Sequence, residues 1–97
     1  MNYLKCIWIH DSEDDPILLY SELDDNRMET RKIEIFRNGS NGMADANHST
    51  NGTQLGIEPL PTIEVIESDP QFEPTDIPQQ EFESVWNQKS SCVSNKA

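Results

Sequence analysis

Apolar and polar residues alternate along the first third of the chain as they do in β-strands. Residues 3–10 place Leu4 and Trp8 on one face and Ile7 and Ile9 on the other. Apolar residues on both faces are typical of a strand inside a sheet, with neighbours on both sides. This stretch therefore predicts a central strand.

Three further strands are predicted between residues 17 and 46. The first covers residues 17–23, and the second covers residues 27–37. Within the second strand the inward-facing positions are first the even-numbered Met28 and Thr30 and then the odd-numbered Ile33 and Ile35. This shift by one residue near Arg31-Lys32 predicts a β-bulge there. Asn-Gly turn signals separate it from a short strand over residues 43–46. The pattern indicates an antiparallel meander of three to four strands.

The second half of the chain predicts helices. Thr62 is a suitable N-cap for a short helix through Ser68. Residues 71–77 are predicted to connect the two helices, with the Phe72 side chain packed into the core. Residues 78–89 carry an apolar i, i+3, i+4 stripe that begins at Phe82. The expected fold is α+β, with one short helix and a C-terminal helix packed on one face of the sheet.

The length and composition indicate one small domain with a thin core. Only 34% of the 97 residues are hydrophobic. Residues 1–87 form the predicted domain, and residues 88–97, which lack apolar periodicity, form a predicted flexible tail. The chain shows no signal peptide and no apolar run of membrane length, and two cysteines suit a reducing compartment. The predicted location is the cytoplasm, without membrane contact.

The formal net charge of −11 limits the partners. A surface this acidic repels nucleic-acid backbones, so direct nucleic-acid binding is not expected. It attracts basic proteins and increases the rate at which they associate with the chain. The alternative interpretation is that the acidic residues only keep a small domain soluble.

Two acidic segments are the candidate contact surface. One is the acidic loop, residues 11–15, which follows the predicted first strand, and the other is a turn after the second strand. Trp8 and Tyr20 are candidate aromatic anchors. The predicted partner-binding residues are Trp8, His10, Asp11, Glu13, Asp14, Asp15, Tyr20, Asp24 and Asp25.

His10 and Asp11 have an alternative interpretation as a general acid/base pair. No serine or cysteine nucleophile stands at a suitable spacing, and a neighbouring His–Asp pair occurs readily by chance. We favour the interpretation that His10 hydrogen-bonds a loop carboxylate and ends the strand.

Arg27, Glu29 and Arg31 are expected to share one strand face. One interpretation is a salt-bridge set with Glu22. The other is a small cationic patch of Arg27 and Arg31 that grips an anionic group. We favour the salt bridges.

No metal or cofactor is expected. The acidic loop resembles a calcium loop in its oxygen spacing, but Pro16 stands where that loop needs glycine. The histidines and cysteines are too widely spaced for a zinc site, and no glycine-rich phosphate loop is present.

Several motifs stand in a recognisable order. They are Trp8-x-His10, Asp15-Pro16, Leu19-Tyr20-Ser21-Glu22, Arg31-Lys32-Ile33-Glu34-Ile35-Phe36 and Glu81-Phe82-Glu83-x-Val85-Trp86. This order resembles a family of small bacterial and phage proteins catalogued as domains of unknown function, over residues 1–87. The resemblance implies a stand-alone domain with the size and acidity of immunity proteins and phage inhibitors, and it implies no catalytic residues.

These observations predict a non-enzymatic, acidic, protein-binding inhibitor, specifically an immunity protein that neutralises a basic toxin or nuclease. A first alternative is a phage counter-defence protein that mimics nucleic acid or binds a nucleotide signal through Arg27 and Arg31. A second alternative is a small enzyme that uses His10 and Asp11.

Overall fold

The computed structural model describes residues 1–94, with the backbone alone for residues 91–94. It contains one sheet in the order β4-β3-β2-β1-β5, in which every pairing is antiparallel. The α+β prediction is confirmed, with five strands instead of three to four. The strands are β1 (Asn2–Trp8), β2 (Leu18–Leu23), β3 (Glu29–Ile35), β4 (Asn41–Ala44) and β5 (Phe72–Asp76).

The fifth strand was predicted as a connector. Pro74 lies in its middle and pairs with Cys6 of β1. Proline lacks an N–H donor, so it is tolerated only where that side of the strand faces no partner. β5 meets this condition because it is an edge strand. Phe72 is half-buried and pairs with Trp8, so it does not plug the main core as predicted.

The predicted bulge is present close to its expected place. Glu22 pairs with Arg31, whereas the next residue, Leu23, pairs with Glu29. Thr30 is therefore the extra residue of β3, one position before the predicted site. Because side chains alternate along a strand, this insertion sends Glu29 and Arg31 to opposite faces of the sheet. The prediction that they share a face is wrong for this reason.

The C-terminal helix, α2 (Gln79–Ser94), covers one face of the sheet. The predicted stripe is confirmed: Phe82 is fully buried, and Val85 and Trp86 pack at its sides. The helix extends beyond the predicted end at residue 89, into the segment predicted as a tail. The last three residues of that segment lie outside the described part. The core beneath α2 consists of Tyr3, Tyr20, Ile33, Met43, Ile77 and Phe82.

The opposite face is covered by irregular chain and a short helix, α1 (Ile63–Glu67). Thr62 caps this helix as predicted, by accepting from the Val65 N–H. None of the helix residues is buried. Elsewhere on this face the loop after β4 packs closely, since a Cβ on Gly42 would stand 1.9 Å from the Thr53 hydroxyl oxygen.

The strands carry the two acidic segments to opposite ends of the sheet. The acidic loop follows β1 and precedes β2, whereas the turn at Asp24-Asp25 follows β2. At about 3.4 Å per residue, six residues of β2 separate the two segments by about 20 Å. They therefore lie at opposite ends of one strand and do not form a single contiguous cluster of carboxylates.

Candidate functional site

The acidic loop is fixed to the sheet by the imidazole of His10. The ring Nδ1 accepts from the Ser12 N–H at 3.1 Å, so Nε2 carries the proton and donates to the Pro16 carbonyl at 2.7 Å. The partners are backbone groups, not the loop carboxylate that the sequence suggested. Both ring nitrogens are thus engaged by backbone groups of the loop.

Contacts on either side of His10 strengthen this anchor. The Trp8 ring meets the imidazole edge to face, with 4.6 Å between the ring centroids. Arg37 donates to the His10 carbonyl at 2.6 Å, which ties the turn after β3 to the loop. Ser12 accepts from the Asp14 N–H and so shapes the loop from inside. The loop therefore begins and ends on fixed backbone.

The carboxylates of this loop point away from the anchored backbone. Asp11, Glu13, Asp14 and Asp15 are all exposed, whereas Pro16 is buried. None of the four forms an ion pair within the part of the chain that the structure describes. The result is a fixed, concentrated negative charge without internal compensation.

Of the two predicted aromatic anchors, Tyr20 is buried and Trp8 is partly exposed. Tyr20 is only 7% exposed and belongs to the core under α2. Trp8 lies on the other face, where its ring stacks on Phe72 with 5.7 Å between centroids. Its indole N–H is buried and has no acceptor among the described residues. Trp8 thus packs against His10 at the base of the acidic loop, and Tyr20 contributes to the hydrophobic core.

Two exposed isoleucines beside the acidic loop were not among the predicted contacts. Ile7 is 40% exposed and Ile9 is 50% exposed. The sequence predicted that this side of β1 would be buried, but α2 packs against Tyr3 at the other end of the strand. The sequence gives no signal for this exposure, because alternation along a strand does not show how much of a sheet face the helix covers. We call Ile7 and Ile9 the isoleucine patch.

The turn at the far end of β2 has a structural task. The Asp24 carboxylate accepts from the backbone N–H groups of Asn26 and Met28. Such bonds stabilise a tight turn. Asp25 is exposed next to it.

Arg31 lies at the junction between the sheet and α2. Its guanidinium contacts Glu22 at 2.7 Å and Glu83 at 2.6 Å, and it lies 4.9 Å from the ring centroids of both Phe82 and Trp86. The favoured salt bridge to Glu22 is thus present, with a second carboxylate contributed by the helix.

The environment of Glu22 strongly favours its ionised form. Hydrogen bonds from Arg31 above all, and from Thr30 and Tyr3, lower the pKa of the Glu22 carboxyl from 4.5 to about 2, against an opposing effect of burial. Burial, followed by the bond to Glu22, raises the pKa of the Tyr3 hydroxyl. This network is therefore an ion cluster that holds α2 on the sheet.

Arg27 is engaged elsewhere. Its guanidinium donates to the carbonyls of Leu60 and Pro61 at 2.9 and 2.8 Å, just before α1. Its backbone has a positive φ of 62°, unusual for a residue other than glycine. The structure thus does not bring Arg27 and Arg31 together as the cationic patch considered above, because each guanidinium is held by a different helix region.

The described residues hold no group of three or more side chains arranged to ligate a metal. His48 is exposed and lies 3.8 Å from Asp45 in a surface turn. Neither helix in the described part has the length and apolar character that a membrane span requires.

A family model matches residues 2–91, and its description is "domain of unknown function (DUF6881)". The chain belongs to this family. The match takes in all five strands and both helices up to the last turn of α2. No curated protein and no solved structure is significantly similar to the chain. Family membership therefore agrees with the expectation of a family of unknown function, and it assigns no activity.

Proposed function

We propose that this protein is a non-enzymatic inhibitor that binds a basic protein through the acidic loop. The observation that carries the proposal is the loop itself, with four exposed carboxylates on a backbone fixed by His10. None of these carboxylates forms an ion pair with another described residue. In its specific form, the protein is an immunity protein that acts in the cytoplasm and neutralises a basic toxin or nuclease.

The fixed backbone supports a binding role. A loop that is already ordered loses little conformational freedom on association, so more of the interaction energy appears as affinity. Complementary charge adds to the association rate, because the field of a −11 protein draws a basic partner toward it.

The isoleucine patch supplies the apolar part of the surface. Interfaces combine a desolvated apolar centre with a polar rim, and Ile7 and Ile9 lie beside the charged loop in this manner. A second copy of the chain is a poor occupant, since it would bring an equal negative charge against the same loop. A basic protein matches both features.

The test compares two variants of equal net charge. The loop variant carries Asp14→Asn and Asp15→Asn, and the turn variant carries Asp24→Asn and Asp25→Asn at the opposite end of β2. Basic proteins captured from the native host by the immobilised chain are purified, and their affinities for both variants are measured across a salt titration. We expect the loop variant to bind about tenfold more weakly, which is about 1.4 kcal/mol, and the turn variant to bind like the wild type.

Two outcomes would reject the acidic-interface proposal. In one, the two variants lose affinity equally, which would mean that only net charge matters. In the other, neither variant loses affinity. Inhibition of the captured partner's own activity by the wild-type chain separates an inhibitor from a passive binder.

A further inference from the structure

A cavity of about 400 Å³ lies between α1 and the face of the sheet opposite α2. Its size falls within the range of about 300–1,000 Å³ found for small-molecule sites. The lining is predominantly apolar, with Leu4, Cys6 and Leu19 as its floor and Leu60, Ile66 and Phe72 among its walls. Burial raises the pKa of the Cys6 thiol, which keeps it neutral in this lining.

The cavity exists because α1 is held at its flanks and not by its own packing. On one side Arg27 holds the Leu60 and Pro61 carbonyls, and the Leu60 N–H donates back to the Arg27 carbonyl at 2.8 Å. On the other side the Phe72 N–H donates to the Asp69 carbonyl as the chain enters β5. The helix between these contacts buries none of its residues. The helix therefore lies over the apolar residues of the sheet, but its side chains do not fill the space between helix and sheet.

Arg27 attaches the turn between β2 and β3 to the segment before α1. Its positive φ belongs to that turn, in which the Arg27 N–H donates to the Asp24 carbonyl at 2.9 Å and the Asp24 N–H donates to the Met28 carbonyl at 3.0 Å. Three hydrogen bonds between residue 27 and residues 60–61 then hold the chain before α1 against this turn. The position of α1 over the sheet is thus fixed at one end of the cavity.

The charged groups at the cavity favour a cationic ligand. Lys32 is compensated, since its ammonium lies 3.4 Å from Glu29 and 3.9 Å from Glu34. The Glu29 carboxylate also accepts from the Ser21 hydroxyl and the Gly56 N–H, at 3.1 and 2.6 Å. Asp69 is exposed, and its carboxylate accepts only from the Gln71 N–H among the hydrogen bonds of the described residues. Of the charged side chains that line the cavity, Asp69 alone forms no ion pair with a described residue, so the unpaired charge is negative.

We propose that this cavity binds a small apolar amine, with its hydrocarbon part on Leu4 and Leu19 and its ammonium beside Asp69. The hydrocarbon part gains by leaving water for an apolar lining. The ammonium stays at the rim, where it is solvated and pairs with a carboxylate at little desolvation cost. This site lies on the α1 face and is independent of the proposed protein interface.

The probes are heptylamine, heptanol and octanoate, which share a seven-carbon alkyl chain and differ in charge at neutral pH. Each is titrated into the full chain by calorimetry and by methyl NMR. We expect saturable one-to-one binding that shifts the methyl signals of Leu4, Leu19 and Ile66, with affinity decreasing from amine to alcohol to acid. Shifts confined to Ile7 and Ile9, or an absence of saturation, would overturn the site.

Variants separate the apolar and the ionic parts of the proposal. Val65→Trp, on the exposed wall, is expected to block all three probes, whereas Ile57→Trp, at a residue that is 91% exposed and outside the cavity, leaves binding unchanged. Asp69→Asn keeps the acceptor for Gln71 and is expected to weaken the amine about two- to fivefold, as for an exposed ion pair, without affecting the alcohol. Equal loss for amine and alcohol, or an acid that binds as tightly as the amine, would refute the ionic assignment.

Discussion

The two faces of the sheet are covered by helices in different ways. On one face α2 buries Phe82 completely and adds the ion cluster of Arg31, Glu22 and Glu83. On the other face α1 buries no residue and is held by hydrogen bonds at its flanks. A long helix with a fully buried apolar residue thus fixes the fold by packing, whereas the short helix, whose apolar residues are at most half-buried, is positioned by its connections. The face under α2 therefore stabilises the domain, whereas the face under α1 contains the cavity described above.

The largest expected effect is the removal of Phe82. Phe82→Ala is expected to lower the free energy of unfolding by about 3–5 kcal/mol, because it deletes the centre of the packed face and leaves a cavity. Urea denaturation measures the loss. The matched change on the other face, Val65→Ala, is expected to remain within about 0.5 kcal/mol, since Val65 is 58% exposed. Similar losses from both would mean that α1 packs as α2 does.

The ion cluster predicts a dependence of stability on pH. The folded pKa of Glu22 lies at about 2, below its usual 4.5, so the folded state favours the carboxylate. The resulting stability is complete above about pH 5 and is lost as the pH falls toward 2. Its size is about 2–3 kcal/mol, from about 1.4 kcal/mol per pKa unit less an allowance for partial solvation.

Unfolding measured from pH 7 to pH 2 tests this dependence. Glu22→Gln is expected to flatten the acid limb, leaving a smaller slope from groups that include Glu83, whose pKa Arg31 also lowers. Glu13→Gln, in the acidic loop, serves as the control and retains the full limb. An unchanged limb in Glu22→Gln would contradict the role assigned to the cluster.

Arg27 tests how the α1 face is held. Arg27→Ala is expected to cost about 1–2 kcal/mol, because the hydrogen bonds to Leu60 and Pro61 are lost while the positive φ remains. Arg27→Gly loses the same bonds but adopts this φ readily, so it is expected to cost about 1 kcal/mol less. In both variants amide exchange should accelerate in residues 63–67 and stay unchanged under α2. Equal costs would argue against backbone strain.

The smallest expected effect is the loss of the α1 N-cap. Thr62→Ala removes an acceptor that lies 3.4 Å from the Val65 N–H. We expect a cost of about 0.5 kcal/mol, at the low end for N-caps, because the bond is long and the helix is exposed. Thermal unfolding detects the change, and Thr75→Ala, on an exposed position of β5, is its control. A loss above 2 kcal/mol would mean that α1 contributes to the main core.

The sequence predicted the first of these faces well and the second poorly. The alternation in β1 and the stripe from Phe82 are strong periodic signals, and both elements are found where they were predicted. The bulge in β3 was also predicted, from the shift in which positions of that strand carry inward-facing residues. Its consequence, that Glu29 and Arg31 face opposite ways, depends on the single residue at which the insertion falls.

The candidate surface was predicted only in part. The acidic loop was found from its composition, but its grouping with Asp24-Asp25 ignored that consecutive turns of a meander lie at opposite ends of the sheet. Ile7 and Ile9 were assigned to the core, since sequence alternation cannot tell how much of a face one helix covers. The cavity under α1 had no local signal, because it depends on contacts between residues 27 and 60 that are distant in sequence.

Pro74 has a consequence for how other chains approach this one. An open sheet invites intermolecular strand pairing at its borders, which is a common route to aggregation. The outer edge of β5 resists such pairing because Pro74, in its middle, has no N–H to donate, and β5 also carries the acidic Glu73 and Asp76. At the opposite border β4 has four residues, and Ala44 pairs there with Ser49. Neither edge of the sheet therefore offers a long template for amyloid-like growth, which disfavours edge-to-edge association between copies of this chain.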